Sequence, residues 1–264
     1  MDLGLKDKVA IVGGASKGLG KACALVLAQE GAKVAICSRS KPDLESAAEE
    51  IASAGGGEVM TFAGDLDHHQ TINELISATV TRFGRLDIMV NNSGGPPLAR
   101  AATASEEQWE TALQRSLMFF ARMCRESVPH LKEQGGGRII NIGGMAARNA
   151  GNLTNSNGVT NSAVSNIAKN LGDQVAHLGI LVNCIHPGTT RTPRQVQLLE
   201  RRARDANITV EEAERRAVSE IPIGRMVEPE EIANLVLFLV SEKAAAITGQ
   251  TIAVEGGAGR GVSY

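Results

Sequence analysis

One glycine-rich segment near the start of the chain constrains its fold more than any other feature. The segment 9–20 runs from an apolar, β-rich stretch into a helical pattern, with three glycines in the spacing GxxxGxG. Glycine permits a tight turn and close approach of the backbone to a ligand, and the following helix N-terminus offers N–H donors to an anion. The arrangement predicts a site for the pyrophosphate of a dinucleotide, with a purely structural turn as the competing interpretation. The residues expected at this site are Gly14, Ser16, Lys17, Gly18, Leu19 and Gly20.

Short apolar runs alternate with helical patterns along the whole chain. The expected strands are 8–13, 33–38, 58–63, 86–91, 137–142, 180–185 and 250–254. The expected helices are about 18–30, 43–54, 68–83, 105–133, 155–178, 194–218 and 228–240. Nearly continuous apolar strands suit a parallel sheet that is covered on both faces. The sequence thus predicts an α/β fold, a single doubly wound Rossmann domain over 1–264 with a mostly parallel seven-stranded sheet and helices on both faces.

The charged stretch at about 191–220 has two interpretations. It is either a solvated helix pair or a substrate lid that lies over the carboxyl edge of the sheet.

The composition limits which partners and which cellular compartment are expected for this protein. The net charge is −2, with both signs dispersed, so neither nucleic acid nor a membrane is an expected partner. The four cysteines lie far apart in apolar stretches without metal-ligand spacing, so we expect buried free thiols and no metal site. Free thiols and an N-terminus without signal-peptide features predict a cytoplasmic protein.

Arg39 follows the second expected strand. NAD-specific sites place an acidic residue here to bind the ribose hydroxyl, whereas arginine suits the 2′-phosphate of NADP. Lys17 in the glycine loop adds a second cation, although each alone is also compatible with an ordinary surface residue. NADP(H) is therefore the expected cofactor, in preference to NAD(H).

Further motifs in sequence order resemble the classical short-chain dehydrogenase/reductase family over essentially the whole chain. They are Asn91-Asn92-Ser93-Gly94, Gly137-Arg-Ile-Ile-Asn-Ile142, Asn183-Cys-Ile-His-Pro187-Gly188, Pro229-Glu230-Glu231 and Glu255-Gly256-Gly257. Some stretches are similar to family members described as 3-oxoacyl-carrier-protein reductase-like. The resemblance implies association as a homodimer or homotetramer. It also implies cofactor contacts at Asp65, Leu66, Asn91, Ser93, Gly94, Pro187, Gly188, Thr190 and Thr192.

The resemblance fails at the four positions where the family carries its proton relay of Asn, Ser, Tyr and Lys. This chain has Ser116 in place of the asparagine, Gly144 in place of the serine, Asn157 in place of the tyrosine and Asn161 in place of the lysine. An asparagine amide exchanges no proton near neutral pH, and loss of a general acid–base group costs on the order of 10²–10⁴ in rate. His186, after the sixth expected strand, is a candidate for a group that titrates near neutrality, with a loop histidine of no catalytic role as the alternative.

Three functions are compatible with this pattern. The first is an atypical oxidoreductase that uses NADP(H) on a carbonyl or alcohol of a small molecule, with a proton from water, His186 or the substrate. The second is a catalytically inactive cofactor-binding protein, acting as a sensor or as a partner of an active homologue. The third is a lyase or isomerase on the same fold, since a fold does not fix its function.

Overall fold

Seven strands form one sheet in this computed structural model, which describes residues 2–95, 100, 102–149, 155–259 and 261. The strands are β1 (Val9–Gly13), β2 (Lys33–Ser38), β3 (Val59–Ala63), β4 (Ile88–Asn92), β5 (Gly137–Ile142), β6 (Ile180–Pro187) and β7 (Thr251–Val254). Their order across the sheet is β3-β2-β1-β4-β5-β6-β7, and each adjacent pair is parallel. The doubly wound Rossmann fold predicted from the sequence is confirmed, and the sheet is wholly rather than mostly parallel.

Nine α-helices lie among the described residues. They are α1 (Gly18–Gln29), α2 (Lys41–Ala54), α3 (His69–Phe83), α4 (Glu106–Ala112), α5 (Phe119–Glu133), α6 (Asn155–Val175), α7 (Pro193–Ala206), α8 (Val210–Val218) and α9 (Pro229–Val240). None of these helices is both long and apolar enough to cross a bilayer.

The core has two layers, one on each face of the sheet. Apolar side chains of α1, α2 and α9 pack on one face, and those of α3, α5 and α6 pack on the other. Successive residues of a strand point to opposite faces, so each central strand must be apolar on both, which explains its continuous apolar sequence. The four cysteines, Cys23, Cys37, Cys124 and Cys184, are buried free thiols, as predicted.

Two of the helices expected from the sequence are interrupted. The stretch 105–133 contains a π-helical turn, Leu113–Met118, between α4 and α5. The stretch 194–218 divides at Asn207, which adopts a left-handed conformation with φ 50° and ends α7. Thr209 then starts α8, because its side chain accepts a hydrogen bond from the Glu212 N–H at 3.2 Å. The left-handed residue and the side-chain cap two residues later therefore divide the stretch into two helices.

Candidate functional site

A cleft of about 600 Å³ opens at the carboxyl ends of β1, β2, β3 and β4. The chain leaves β1 in one direction toward β2 and returns on its other side at β4, so the cleft lies at the point where the strand order reverses. Ligands of open α/β sheets bind at this point. Residues that line the cleft include Gly14, Ser16, Lys17, Gly18, Leu19, Ser38, Arg39, Ser40, Asp43, Asp65, Leu66, Asn92, Ser93, Gly94, Arg115, Thr192 and Arg194.

The loop between β1 and α1 has a shape that requires glycine. Gly14 has φ +59°, and a Cβ there would lie 2.8 Å from the Asn92 carbonyl oxygen. A Cβ on Gly20 would lie 2.4 Å from the Gly14 carbonyl oxygen, which is closer than any real contact. Any side chain at these two positions would therefore displace the loop from the floor of the cleft.

The N-terminus of α1 faces this loop without a side-chain cap. Lys17 is the N-cap residue, its side chain makes no capping hydrogen bond, and no acidic residue lies in the first turn. The first N–H groups of a helix lack intrahelical partners and carry partial positive charge, so they stabilise an anion. The loop and this helix end together fit the pyrophosphate of a dinucleotide.

Two adjacent asparagines at the end of β4 have different environments. The Asn92 amide lines the cleft and donates to the carbonyl oxygens of Gly13 and Gly14, both at 3.3 Å, which fixes the glycine loop. Asn91 points to the opposite face, where its fully buried amide donates to Asn141 Oδ1 at 2.8 Å. Asn92 belongs to the motif Asn91-Asn92-Ser93-Gly94, and alternation along a strand places only one of two adjacent side chains on the cleft side.

The end of β2 carries the polar groups expected to select the cofactor. Arg39 and Lys17 both line the cleft there, as do Ser38 and Ser40. Ser40 also starts α2, since its hydroxyl accepts from the N–H of Asp43. Asp43 itself was not expected at the site, yet its carboxylate is 2.8 Å from the Lys17 ammonium.

Most of the residues expected to contact the cofactor border the cleft. Asp65, Leu66, Ser93, Gly94 and Thr192 line it directly. Those outside the lining are Gly20, Asn91, Pro187, Gly188 and Thr190.

The stretch 191–220 reaches the cleft through the start of α7. The Thr192 hydroxyl accepts from the Gln195 N–H at 3.3 Å and so caps this helix. Two residues after Thr192, Arg194 donates to the Gly94 carbonyl oxygen across the cleft. Arg194 was not expected at the cleft, because nothing in its spacing distinguishes it from a solvated helix residue.

Two of the four positions expected to carry the chemistry come together beside β5. The start of α6 packs on the short helix Met145–Ala147, where the Ser162 hydroxyl lies 3.3 Å from the Ala147 carbonyl oxygen. A Cβ on Gly144 would lie 3.0 Å from the Asn161 amide nitrogen. The Asn161 amide thus lies over the space that a side chain at position 144 would occupy.

The other two positions are also enclosed. Ser116 is buried within the π-helical turn, a distortion that is frequent at functional sites. The side-chain oxygen of Asn157 is buried and lacks a hydrogen-bond partner among the described residues. None of the four side chains at these positions titrates near neutral pH.

His186 is not the near-neutral titrating group that the sequence suggested. It belongs to β6 rather than to a loop, and its side chain is 1% exposed. Burial, together with the nearby positive charge of Arg148, lowers the pKa of His186 from 6.5 to about 4. Its Nε2 lies 2.9 Å from the Ser165 hydroxyl. The imidazole is therefore neutral at pH 7 and links β6 to α6.

The fold and the cleft define a dinucleotide-binding protein of the Rossmann class. Comparison with known proteins identifies the family within this class. Residues 14–259 match the family described as Enoyl-(Acyl carrier protein) reductase. The chain belongs to the short-chain dehydrogenase/reductase family.

Relatives and solved structures cover nearly the whole chain. The NADPH-dependent reductase BacG of Bacillus subtilis is 35% identical over 96% of this chain and 98% of its own length. The 3-oxoacyl-acyl-carrier-protein reductase FabG of Thermotoga maritima is 32% identical over the same shares. The L-sorbose reductase of Gluconobacter frateurii, solved with NADPH and L-sorbose, superposes with a TM-score of 0.95 at 30% identity, covering 99% of this chain and 100% of that one. These similarities support an oxidoreductase that uses NADP(H).

Proposed function

We propose that this protein is an NADP(H)-dependent oxidoreductase that interconverts a carbonyl group and an alcohol on a small molecule. The observation that carries the proposal is the cleft, in which a sterically required glycine loop, an uncapped helix N-terminus and Arg39 lie together. When bound there, the cofactor supplies the hydride, and the protein's part is to bind and orient the reactants.

Residues at different positions in the cleft would bind different parts of the cofactor. The start of α1 would hold the pyrophosphate, and Arg39 with Lys17 would hold the 2′-phosphate. Thr192, at the start of α7, would bind the nicotinamide end. The stretch 191–220 would exclude water as a lid, with its two helices joined by the small apolar cluster of Leu199, Ala203, Ala213 and Met226.

The route of the proton in this proposal differs from the usual family relay. Gly144 has no hydroxyl, and Asn157 and Asn161 offer amides that bind a carbonyl or hydroxyl without exchanging a proton. His186 is neutral and buried, so it is a poor proton donor at pH 7. We propose that the proton comes from water or from the substrate itself.

Label transfer tests the proposal. Pure protein is incubated with NADPH carrying deuterium at the reactive carbon of the nicotinamide and with a panel of small ketones and aldehydes. The expected result is deuterium in an alcohol product, formed with stoichiometric loss of NADPH. Protein that binds NADPH but transfers no label to any compound would contradict it.

A second candidate is a catalytically inactive cofactor-binding protein. It is favoured by the absence of a near-neutral titrating group at positions 116, 144, 157 and 161, beside a cleft that retains its glycine geometry. This candidate predicts stable association with an active member of the family, whereas turnover by the pure protein would rule it out. Association into a homodimer or homotetramer stays a prediction in either case.

A further inference from the structure

Three charged side chains border the cleft near the end of β2. Lys17, Arg39 and Asp43 all line it. The Lys17 ammonium is 2.8 Å from the Asp43 carboxylate, in a pair whose side chains are 58% and 39% exposed. Arg39 forms no ion pair within the described part of the chain. Of the two cations expected to attract a phosphate, one is therefore already partly neutralised.

The position of the carboxylate opposes an anionic ligand at this end. Any phosphate held by Lys17 would lie within a few ångströms of Asp43, and like charges at that separation repel each other. A ribose 2′-hydroxyl carries no charge and therefore meets no such repulsion. The pair thus penalises a 2′-phosphate and tolerates a 2′-hydroxyl.

We infer that Asp43 is a specificity-determining residue that weakens the preference of this site for NADPH over NADH. It does so by holding the Lys17 ammonium and by placing a negative charge beside the 2′-phosphate. The inference rests on the proposed function, since it assumes that the dinucleotide occupies this cleft.

The substitution Asp43→Asn removes the charge and keeps the local structure. Asparagine has nearly the same size, and the backbone N–H of residue 43 remains available to the Ser40 hydroxyl that starts α2. Glu45→Gln is the matched control. Glu45 lies on the same helix, outside the lining of the cleft, and pairs with Lys41 at 3.7 Å. The substitution Glu45→Gln therefore removes an equal charge without changing the site.

The experiment measures dissociation constants for NADPH and NADH with the unmodified protein and with both variants. Adenosine 2′,5′-bisphosphate and AMP serve as probes of the phosphate alone. In Asp43→Asn we expect NADPH and the bisphosphate to bind about fivefold more tightly, as for one exposed charge pair. Binding of NADH and AMP is expected to stay constant or weaken. Glu45→Gln is expected to leave all four constants unchanged.

Two outcomes with Asp43→Asn would overturn the inference. One is a change of less than twofold in the ratio of the NADPH and NADH constants. The other is weaker NADPH binding, which would mean that the carboxylate orients Lys17 productively. If the unmodified protein binds NADPH and either outcome is found, the inference alone fails. If the unmodified protein binds neither dinucleotide, the proposed function fails, and the inference with it.

The double variant Lys17→Met, Asp43→Asn tests the route of the effect. If Asp43 acts largely by holding the ammonium, Asp43→Asn is expected to improve NADPH binding much less when Lys17 is absent. An equal gain in both backgrounds would overturn the assigned role of the pair.

Discussion

At the carboxyl edge of the sheet, the region beside β1 and β4 depends on backbone shape, whereas the region beside β5 and β6 depends on side chains. Beside β1 and β4, backbone geometry makes the site, because Gly14 and Gly20 leave no room for a side chain. Beside β5 and β6, the expected chemistry depends on side chains, and Gly144, Asn157 and Asn161 offer no acid or base. Since side chains at the second region can differ without moving the backbone, a fold can keep its cofactor site while its proton relay differs.

The strongest test of this contrast restores the family's proton relay of Asn, Ser, Tyr and Lys. The variant Ser116→Asn, Gly144→Ser, Asn157→Tyr, Asn161→Lys is expected to raise carbonyl reduction by roughly 10²–10⁴, the usual contribution of a positioned acid–base group. Steady-state consumption of NADPH on the ketone panel measures it. The matched control carries phenylalanine at position 157 and should not show the gain. Equal rates in both variants would contradict the assigned role of position 157.

The glycine loop should be intolerant of a single methyl group. Gly20→Ala places its Cβ 2.4 Å from the Gly14 carbonyl oxygen, so we expect a loss of about 2 kcal/mol or more in unfolding free energy and weakened NADPH binding. Urea denaturation and fluorescence titration measure the two effects. Gly56→Ala is the control, because a Cβ there meets nothing within 4 Å. Similar effects in both variants would show that the loop is not sterically fixed.

His186 should make the second region sensitive to acid. Its pKa is about 4 in the folded protein and 6.5 without burial, so the unfolded chain binds more protons between these values. The contribution of the neutral His186 imidazole to the free energy of unfolding is fully present above pH 6.5 and is lost as the pH falls toward 4. Relative to the unmodified protein, His186→Gln should reduce the loss of stability between pH 7 and pH 4.5 by about 2 kcal/mol.

Urea unfolding at both pH values measures this effect. His69→Gln is the control, because His69 is 46% exposed on the protein surface. An unchanged pH dependence in His186→Gln would show that the buried imidazole is not held neutral.

The smallest effect is expected at the end of β2. Arg39→Ala should weaken NADPH binding about tenfold and leave NADH binding nearly unchanged, because only NADPH has a phosphate for the guanidinium. Isothermal titration with both dinucleotides measures the difference. Equal losses of affinity for NADPH and NADH would show that Arg39 supports the cleft without binding the 2′-phosphate.

The parallel sheet and most of the cleft lining could be predicted from the sequence, because apolar runs and the glycine spacing are local patterns. The pairing of Lys17 with Asp43 could not, since it joins the glycine loop to another helix. His186 shows the same limit. Its position after a strand suggested a titrating loop residue, but burial between β6 and α6 depends on packing that no local pattern reveals.

Equilibrium titration of the purified protein with NADPH, with NADH run beside it, tests whether the cleft binds the cofactor. We expect saturable one-site binding of NADPH that is tighter than that of NADH and is lost in Gly18→Asp, which puts a negative charge and a side chain where φ is +57°. No binding of either dinucleotide would mean that the glycine loop is only a structural turn, and the oxidoreductase proposal would be wrong.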